Sequence, residues 1–293
     1  MRIDLHAHST ASDGTDPPGT LVEKAAGAGL DVVALTDHDT TAGWETAEAA
    51  LPAGLTLVRG AELSGRWYGA EPTVGLHLLA YLFDPGHGPL AAELARVRHS
   101  REQRAERTVA LLNDGGIDVT VPEIREYAAG GTVGRPHLAQ ALIRRGLVRT
   151  VSEAFAPEWL GRRYRLPKAD IDAFTAVRLV NEAGGVSVLA HPRASSRGHI
   201  VSDTLIAELA AAGLWGVEAD HTDHSAADRA HVRLLARDLG LRVTGSSDYH
   251  GTNKTVRLGA FTTDPSVYED LISTATGTVP LVGASRPPTT PTV

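Results

Sequence analysis

The stretch MRIDLHAHSTASDG, residues 1–14, decides how the rest of the chain is read. It opens as a short strand, and because strand side chains alternate, His6 and His8 share one face while Leu5 and Ala7 take the other. Two imidazoles on one face can converge on one ion, and the Asp13 carboxylate follows five residues later. A lone histidine in a strand is more often a hydrogen-bonded core residue than a ligand. The reading therefore depends on whether other strands end in the same chemistry.

After a first strand at Arg2–His8, strands are expected at Asp31–Thr36, Leu55–Ala61, Leu76–Leu82, Gly185–Ala190, Trp215–Ala219 and Leu241–Gly245, with a further candidate at Leu258–Thr262. His38 follows the second of these, Glu62 the third, and His77 lies in the fourth. His191 and His221 follow the fifth and sixth, and Asp248 and His250 repeat the i, i+2 spacing after the seventh. Helical patterns such as PPGTLVEKAAGAG, AFTAVRLVNEAGG and SAADRAHVRLLARDLG separate most of the strands. Repeated β-then-α order predicts a parallel sheet of the α/β class, and this many units predicts a barrel, whose sites form at the C-terminal ends of the strands. In a closed barrel the first and last strands are neighbours, which would bring His6 and His8 beside Asp248 and His250. Of the two acids flanking His38, Asp37 is expected to orient an imidazole and Asp39 to cap the helix in TTAGWETA.

Between Pro89 and Pro167 the order changes to helices alone, including LAAELARVRHSREQRAERTVALLNDGG and RPHLAQALIRRG. The expected division is a barrel from residues 1–88 and 169–283, an inserted helical subdomain at 89–168, and a Pro/Thr-rich, disordered tail at 284–293. The chain of 293 residues has a net charge of -7, but residues 96–168 hold fourteen Lys/Arg against eight Asp/Glu. A basic insertion on an otherwise acidic chain is a solvated helix surface or a seat for phosphate. Cysteine is absent, which removes disulfides, thiolate metal sites and a cysteine nucleophile. No GxxxxGK[ST] loop is present. With no basic-then-apolar leader and no long apolar run, a cytoplasmic protein with no membrane partner is expected.

Taken together, these residues resemble the PHP (polymerase and histidinol phosphatase) metallophosphoesterases. DLHAHSTASDG, VVALTDHDT, GAELS, the later His77, LAHP and SSDYH occur in the family's order over most of the chain. GRPHLAQALIRRG and AGGVSVLAHP are most like the branch that dephosphorylates nucleotides, including 3',5'-bisphosphates, and trims short RNA from the 5' end. The resemblance implies a distorted (β/α)7 barrel with a helical insertion and two to three divalent ions, Mn2+, Fe2+ or Zn2+. It also implies that His6, His8, Glu62 and Asp248 hold one ion, that Glu62 bridges to a second completed by His77 and His191, and that Asp13, His38 and His250 hold a third. Water activated between two ions would then attack phosphorus in line, with no covalent enzyme intermediate.

The residues that hold substrate are read less directly. Arg135 in GRPH, by resemblance, sits where this branch grips a substrate phosphate, and its planar fork suits that task. Lys168, Arg193 and His137 are further substrate-binding candidates, and His221 is a candidate proton donor to the leaving oxygen. Trp67 and Tyr68 are candidates for stacking on a base. The expected partner is a small phosphorylated substrate, a nucleotide or short RNA, with no obligate protein partner. The alternatives are a phosphatase of another small phosphomonoester such as histidinol phosphate, or a noncatalytic metal-binding module; the intact ligand set argues against the module.

Overall fold

A computed structural model describes residues 1–69, 73–195 and 200–284. Strands β1 (Ile3–Asp4), β2 (Val32–Leu35) and β6 (Val186–Ala190) are buried along their whole length, as strands covered on both faces must be. With β3 (Thr56–Trp67), β4 (Val74–Tyr81), β7 (Gly216–Asp220) and β8 (Arg242–Gly245) they form the path β1-β2-β3-β4-β6-β7-β8. Two short strands, β5 (Ile171–Asp172) and β9 (Leu281–Val282), pair with β3 off that path. A parallel bridge joins Ala7 to Tyr249, with the His8 N–H donating to the Tyr249 carbonyl at 2.8 Å. The sheet is thereby rolled into a nearly closed, distorted barrel, and the segments carrying His6, His8, Asp248 and His250 lie side by side.

The sheet is not wholly parallel, because β4 runs antiparallel to both β3 and β6. The connection from Trp67 to Val74 is too short for the crossover that parallel pairing needs, so a hairpin is the only solution. The candidate strand at Leu258–Thr262 is a turn. Gly259 there has φ 71° and donates its N–H to the Asp4 carboxylate at 2.8 Å, which breaks the extended run.

Helices α1 (Pro18–Gly27), α2 (Trp44–Ala49), α7 (Ala173–Glu182), α8 (Asp203–Ala211), α9 (Ala226–Leu239) and α10 (Pro265–Thr274) cover the barrel. Leu21, Leu57, Leu78, Val177, Leu205 and Val232 belong to its main apolar cluster. Between β4 and β5 come α3 (Gly88–Asp114), α4 (Val121–Tyr127), α5 (Arg135–Arg144) and α6 (Val151–Ala154). These helices pack a cluster of their own around Leu112, Ile124, Leu138, Leu142 and Leu160. The 27-residue α3 serves both cores: Leu90, Leu94 and Val97 join the barrel, while Ala105, Val109 and Leu112 join the insertion. Of the expected tail, residues 285–293 lie outside the described residues.

Candidate metal centre

The ligand candidates arrive from separate strands but at one end of the barrel. His6 and His8 follow β1, His38 follows β2, Glu62 lies in β3 and His77 in β4, His191 follows β6, and Asp248 and His250 follow β8. Asp13 sits in the turn after His8. Three overlapping groups result: His6, His8, Glu62 and Asp248; His8, Asp13, His38 and His250; and His38, Glu62 and His77. Within each, the candidate atoms lie within 4.8 Å of one another. His191 joins through its Nε2, 3.0 Å from Glu62 Oε1. His8 and His38 each belong to two groups, so the ligands form one continuous cluster.

The distances are those of atoms arranged around ions. His6 Nε2 and His8 Nε2 face each other at 3.0 Å, and Glu62 Oε2 lies 3.2 and 3.0 Å from them. Donors bound to one ion at roughly 2.1 Å stand about 3 to 4 Å apart. Glu62 Oε1 is 2.7 Å from His77 Nδ1, and Glu62 Oε2 is 3.2 Å from His38 Nδ1. Glu62 Oε2, His38 Nδ1 and His77 Nδ1 are buried without a hydrogen-bond partner. Such atoms need a reason to be there, and a divalent cation bound by nitrogen and oxygen supplies it. The residues present therefore fit a metal cluster.

Supporting groups fix which nitrogen faces inward. Glu218, fully buried in β7, sits 3.2 Å from His6 Nδ1 and accepts the His191 N–H at 2.9 Å, leaving His6 Nε2 for the cluster. The sequence reading overlooked this residue, although a glutamate within an apolar strand is itself a signal. His250 Nδ1 lies 2.9 Å from the Asp248 carbonyl, which leaves its Nε2 toward Asp13 at 3.4 Å. Asp37 reaches its imidazole indirectly: it accepts from Ser9 and Ser12, and Ser12 Oγ lies 3.4 Å from His8 Nδ1. Asp39 does not cap a helix, because α2 begins only at Trp44 behind Gly43. Its carboxylate instead holds Ser64 and Arg101. Asp39, His191 and Asp248 all have positive φ, at 56°, 30° and 53°. Non-glycine residues adopt that conformation at a cost, and such costs gather where ligands must be aimed.

The buried charges respond to one another. Burial disfavours the charged form of His8, yet the Asp248 and Glu62 carboxylates beside it raise it to about 9. Burial likewise opposes the Asp13 carboxylate, but His38 and His250 hold it well below the usual range. For His38 burial wins and lowers it to about 3.

The other candidates are placed variously. His221 is fully buried between the Asp223 N–H, 3.0 Å from its Nδ1, and Asp248 Oδ2, 3.1 Å from its Nε2. With Nδ1 accepting and Nε2 donating, it links the backbone at Asp223 to the Asp248 carboxylate. His137 accepts the Gly134 N–H on Nδ1 at 3.0 Å, and a backbone hydrogen bond at Ser12 engages it as well. It joins the start of α5 to the turn that carries Asp13. Lys168 is paired with Asp170, and the Arg193 guanidinium turns to Asp203 at 3.5 Å and Asp228 at 3.9 Å. Trp67 packs against the barrel cluster, whereas Tyr68 is exposed.

Arg135 differs from these. It stacks on Phe155 at 5.0 Å and makes no hydrogen bond or ion pair with a described residue. Nearby Arg104, which the sequence reading missed, is buried and its Nε has no partner. Burial, with Arg101 and Arg135 adding repulsion, lowers Arg104 to about 9. Burial together with Arg165 and Arg101 lowers Arg135 to about 10.

A nearly closed α/β barrel that collects histidines and carboxylates at one mouth, beneath cations lacking counter-ions, defines a metal-dependent phosphoesterase, a hydrolase. Comparison with known proteins agrees: residues 4–115 match the PHP domain model. The chain is 34% identical over 262 residues to a 5'-3' exoribonuclease of Haemophilus influenzae, covering 88% of this chain and 93% of that protein. It is 35% identical over 263 residues to a phosphoribosyl 1,2-cyclic phosphate 1,2-diphosphodiesterase of Eggerthella lenta, covering 86% and 95%. A 3',5'-nucleoside bisphosphate phosphatase of Chromobacterium violaceum is 32% identical over 259 residues, covering 85% and 87%. A solved structure from Bifidobacterium adolescentis, described as that of a metal-dependent phosphoesterase, superposes with a TM-score of 0.87 at 33% identity, covering 94% and 96%. The chain belongs to the PHP-domain family. Among the described residues no helix is long and apolar enough to cross a membrane.

Proposed function

We propose that this chain hydrolyses phosphomonoesters of nucleotides that carry a second phosphate, such as nucleoside 3',5'-bisphosphates, and that the same geometry accepts short 5'-phosphorylated RNA. The observation that carries the reading is the pair Arg104 and Arg135, cations partly or wholly buried with no carboxylate partner beside the ligand cluster. A buried unpaired charge is expensive, and a phosphate dianion is the ligand that relieves it with forked hydrogen bonds. Helices α3 to α6, on this reading, form a cap whose arginines hold the phosphate that is not cleaved. The named activities of the exoribonuclease and bisphosphate phosphatase relatives support this substrate class. Such substrates belong to the cytoplasm.

The cluster is read as holding two to three divalent ions, Mn2+, Fe2+ or Zn2+. His6, His8, Glu62 and Asp248 form one site, Asp13, His38 and His250 another, and His77 and His191 complete a site shared through Glu62. Ions bound there supply the Lewis acidity that makes water a nucleophile at neutral pH and neutralise phosphoryl oxygens. The protein's own contribution is placement. Glu218 and the Asp248 carbonyl set the tautomers of His6 and His250, His221 orients Asp248, and Arg104 and Arg135 hold the distant phosphate. Binding energy from that phosphate favours the transition state at the cluster.

The test compares adenosine 3',5'-bisphosphate, 3'-AMP, 5'-AMP and a 5'-phosphorylated trinucleotide with manganese-loaded protein, following products by phosphorus NMR. The expected result is loss of the 3'-phosphate with kcat/KM at least about tenfold above either monophosphate, the scale of one charge-assisted contact. Equal rates, or a preference for histidinol phosphate, would refute the two-phosphate reading. Absence of any turnover would leave a noncatalytic metal-binding module.

A further inference from the structure

Asp39 stands one residue after a metal-ligand candidate, yet it contributes no atom to the three ligand groups. Its polar groups are nevertheless all used. Its N–H donates to the Glu62 carbonyl at 3.0 Å, and its carbonyl accepts from Arg98 Nη1 at 2.7 Å. One carboxylate oxygen accepts the Ser64 N–H at 2.7 Å; the other accepts the Ser64 hydroxyl and Arg101 Nε, each at 2.8 Å. Arg101 closes the loop by donating through Nη2 to Ser64 Oγ at 2.8 Å. Asp39, Ser64 and Arg101 are all buried, at 0%, 1% and 5% exposure.

The partners of this network are neighbours of one ligand group. His38 precedes Asp39 in the chain and is bridged to Glu62. Glu62 and Ser64 share a face of β3, and Ser64 pairs directly with His77 across the β3–β4 hairpin. The network thus touches the strand positions of His38, Glu62 and His77 together. Its cationic half comes from elsewhere: Arg98 and Arg101 are one turn apart on α3, a helix of the insertion. Another turn along, the same helix presents Arg104.

We propose that Arg101 and Asp39 are positioning residues, through which the insertion aims His38, Glu62 and His77 at their metal ion. Asp39 stands in the left-handed conformation, φ 56°, which aspartate tolerates better than most residues but which still costs energy, offset by the bonds to its carboxylate and carbonyl. Arg98 and Arg101 hold them. Without Arg101 the carboxylate is a buried charge short of its counter-ion, and the turn carrying His38 relaxes away from Glu62. The basic insertion therefore does more than receive substrate: one of its arginines finishes the metal site from behind. This inference rests on the metal-centre reading given above.

The experiment measures divalent metal affinity and stoichiometry directly, by competition of Mn2+ and Zn2+ against a chelating indicator, in wild-type full-length protein and in Asp39→Asn, Arg101→Met, Arg101→Lys and Ser64→Ala. Melting curves and steady-state kinetics accompany each variant. Asp39→Asn and Arg101→Met should weaken the affected ion by about 10-fold to 100-fold, the usual effect of losing a group that supports a ligand. kcat should fall with it while KM stays within roughly threefold. Arg101→Lys keeps the charge but not the fork, so it should recover part of the affinity. Should the two harsher variants fail to fold, Ser64→Ala removes a single hydroxyl and should cost roughly twofold to tenfold in metal affinity. Wild-type metal affinity in the folded variants overturns the proposal, as does a rise in KM at unchanged metal affinity, which would make Arg101 a substrate contact. A wild-type protein that binds no divalent ion would instead overturn the metal-centre reading itself.

Discussion

Arg104 poses an energetic problem that a bound phosphate would relieve. A guanidinium that is 7% exposed and repelled by Arg101 and Arg135 destabilises the empty protein. Replacing it with an apolar side chain of similar length should therefore separate stability from activity. Arg104→Met is expected to melt at or above the wild-type temperature while losing about tenfold to a thousandfold in kcat/KM on a bisphosphate, and much less on a monophosphate. A lower melting temperature with unchanged kinetics would assign Arg104 to structure. Local spacing could not reveal this residue, because its meaning lies in the absence of a partner, and partners are chosen by the fold. The same limit governed Arg193, whose acceptors Asp203 and Asp228 were visible in the chain but not as neighbours. His6 and His8 were legible, because an i, i+2 pair in an extended segment shares a face without knowledge of the fold, although the strand expected at Arg2–His8 is only Ile3–Asp4 with a further bridge at Ala7.

At the scale of elements, the strands ending in ligands could be read from short apolar and β-branched stretches between helical patterns, most plainly VVAL at β2. Two-residue strands such as β5 and β9 leave no period to detect, and they form because β3 offers them an edge. The direction of β4 followed from the length of a connection and not from its composition. Helix α3 supplies the prediction at this scale. Leu112, fully buried, belongs to the insertion's cluster and lies nearly seven turns from the helix start, in the last turn of α3. Leu112→Ala should cost about 2 to 5 kcal/mol of stability and loosen the cap around Arg104 and Arg135. The expected kinetic signature is a raised KM for the bisphosphate with metal content unchanged. Loss of metal together with KM would show that the two cores melt as one.

At the scale of the molecule, charge and metal are linked. Desolvation opposes protonation of His6 and His8, but Asp248 and Glu62 overcome it and raise both imidazoles above the ordinary 6.5, His8 to about 9. Metal-free protein at pH 7 therefore favours a proton among the nitrogens that a cation needs, His8 above all, and binding must expel it. Since His8 loses its proton only as pH climbs toward 9, apparent metal affinity should increase from pH 6.5 to pH 9. Calorimetric titration at pH 7 in two buffers of different ionisation enthalpy should give different heats, the difference reporting the protons released. Identical heats in both buffers would show the imidazoles neutral beforehand.

Helix α3 also bears on how this enzyme can be changed. Because Leu90, Leu94 and Val97 seal the barrel on the same continuous rod whose far end builds the insertion, the insertion is not a cassette. Excising it at its loops would strip apolar cover from the barrel, and grafting one from a relative would import a new helical phase into the host's core. New substrate range is better sought by repainting single side chains along the stripe at Arg104 and Arg135, with the scaffold left intact.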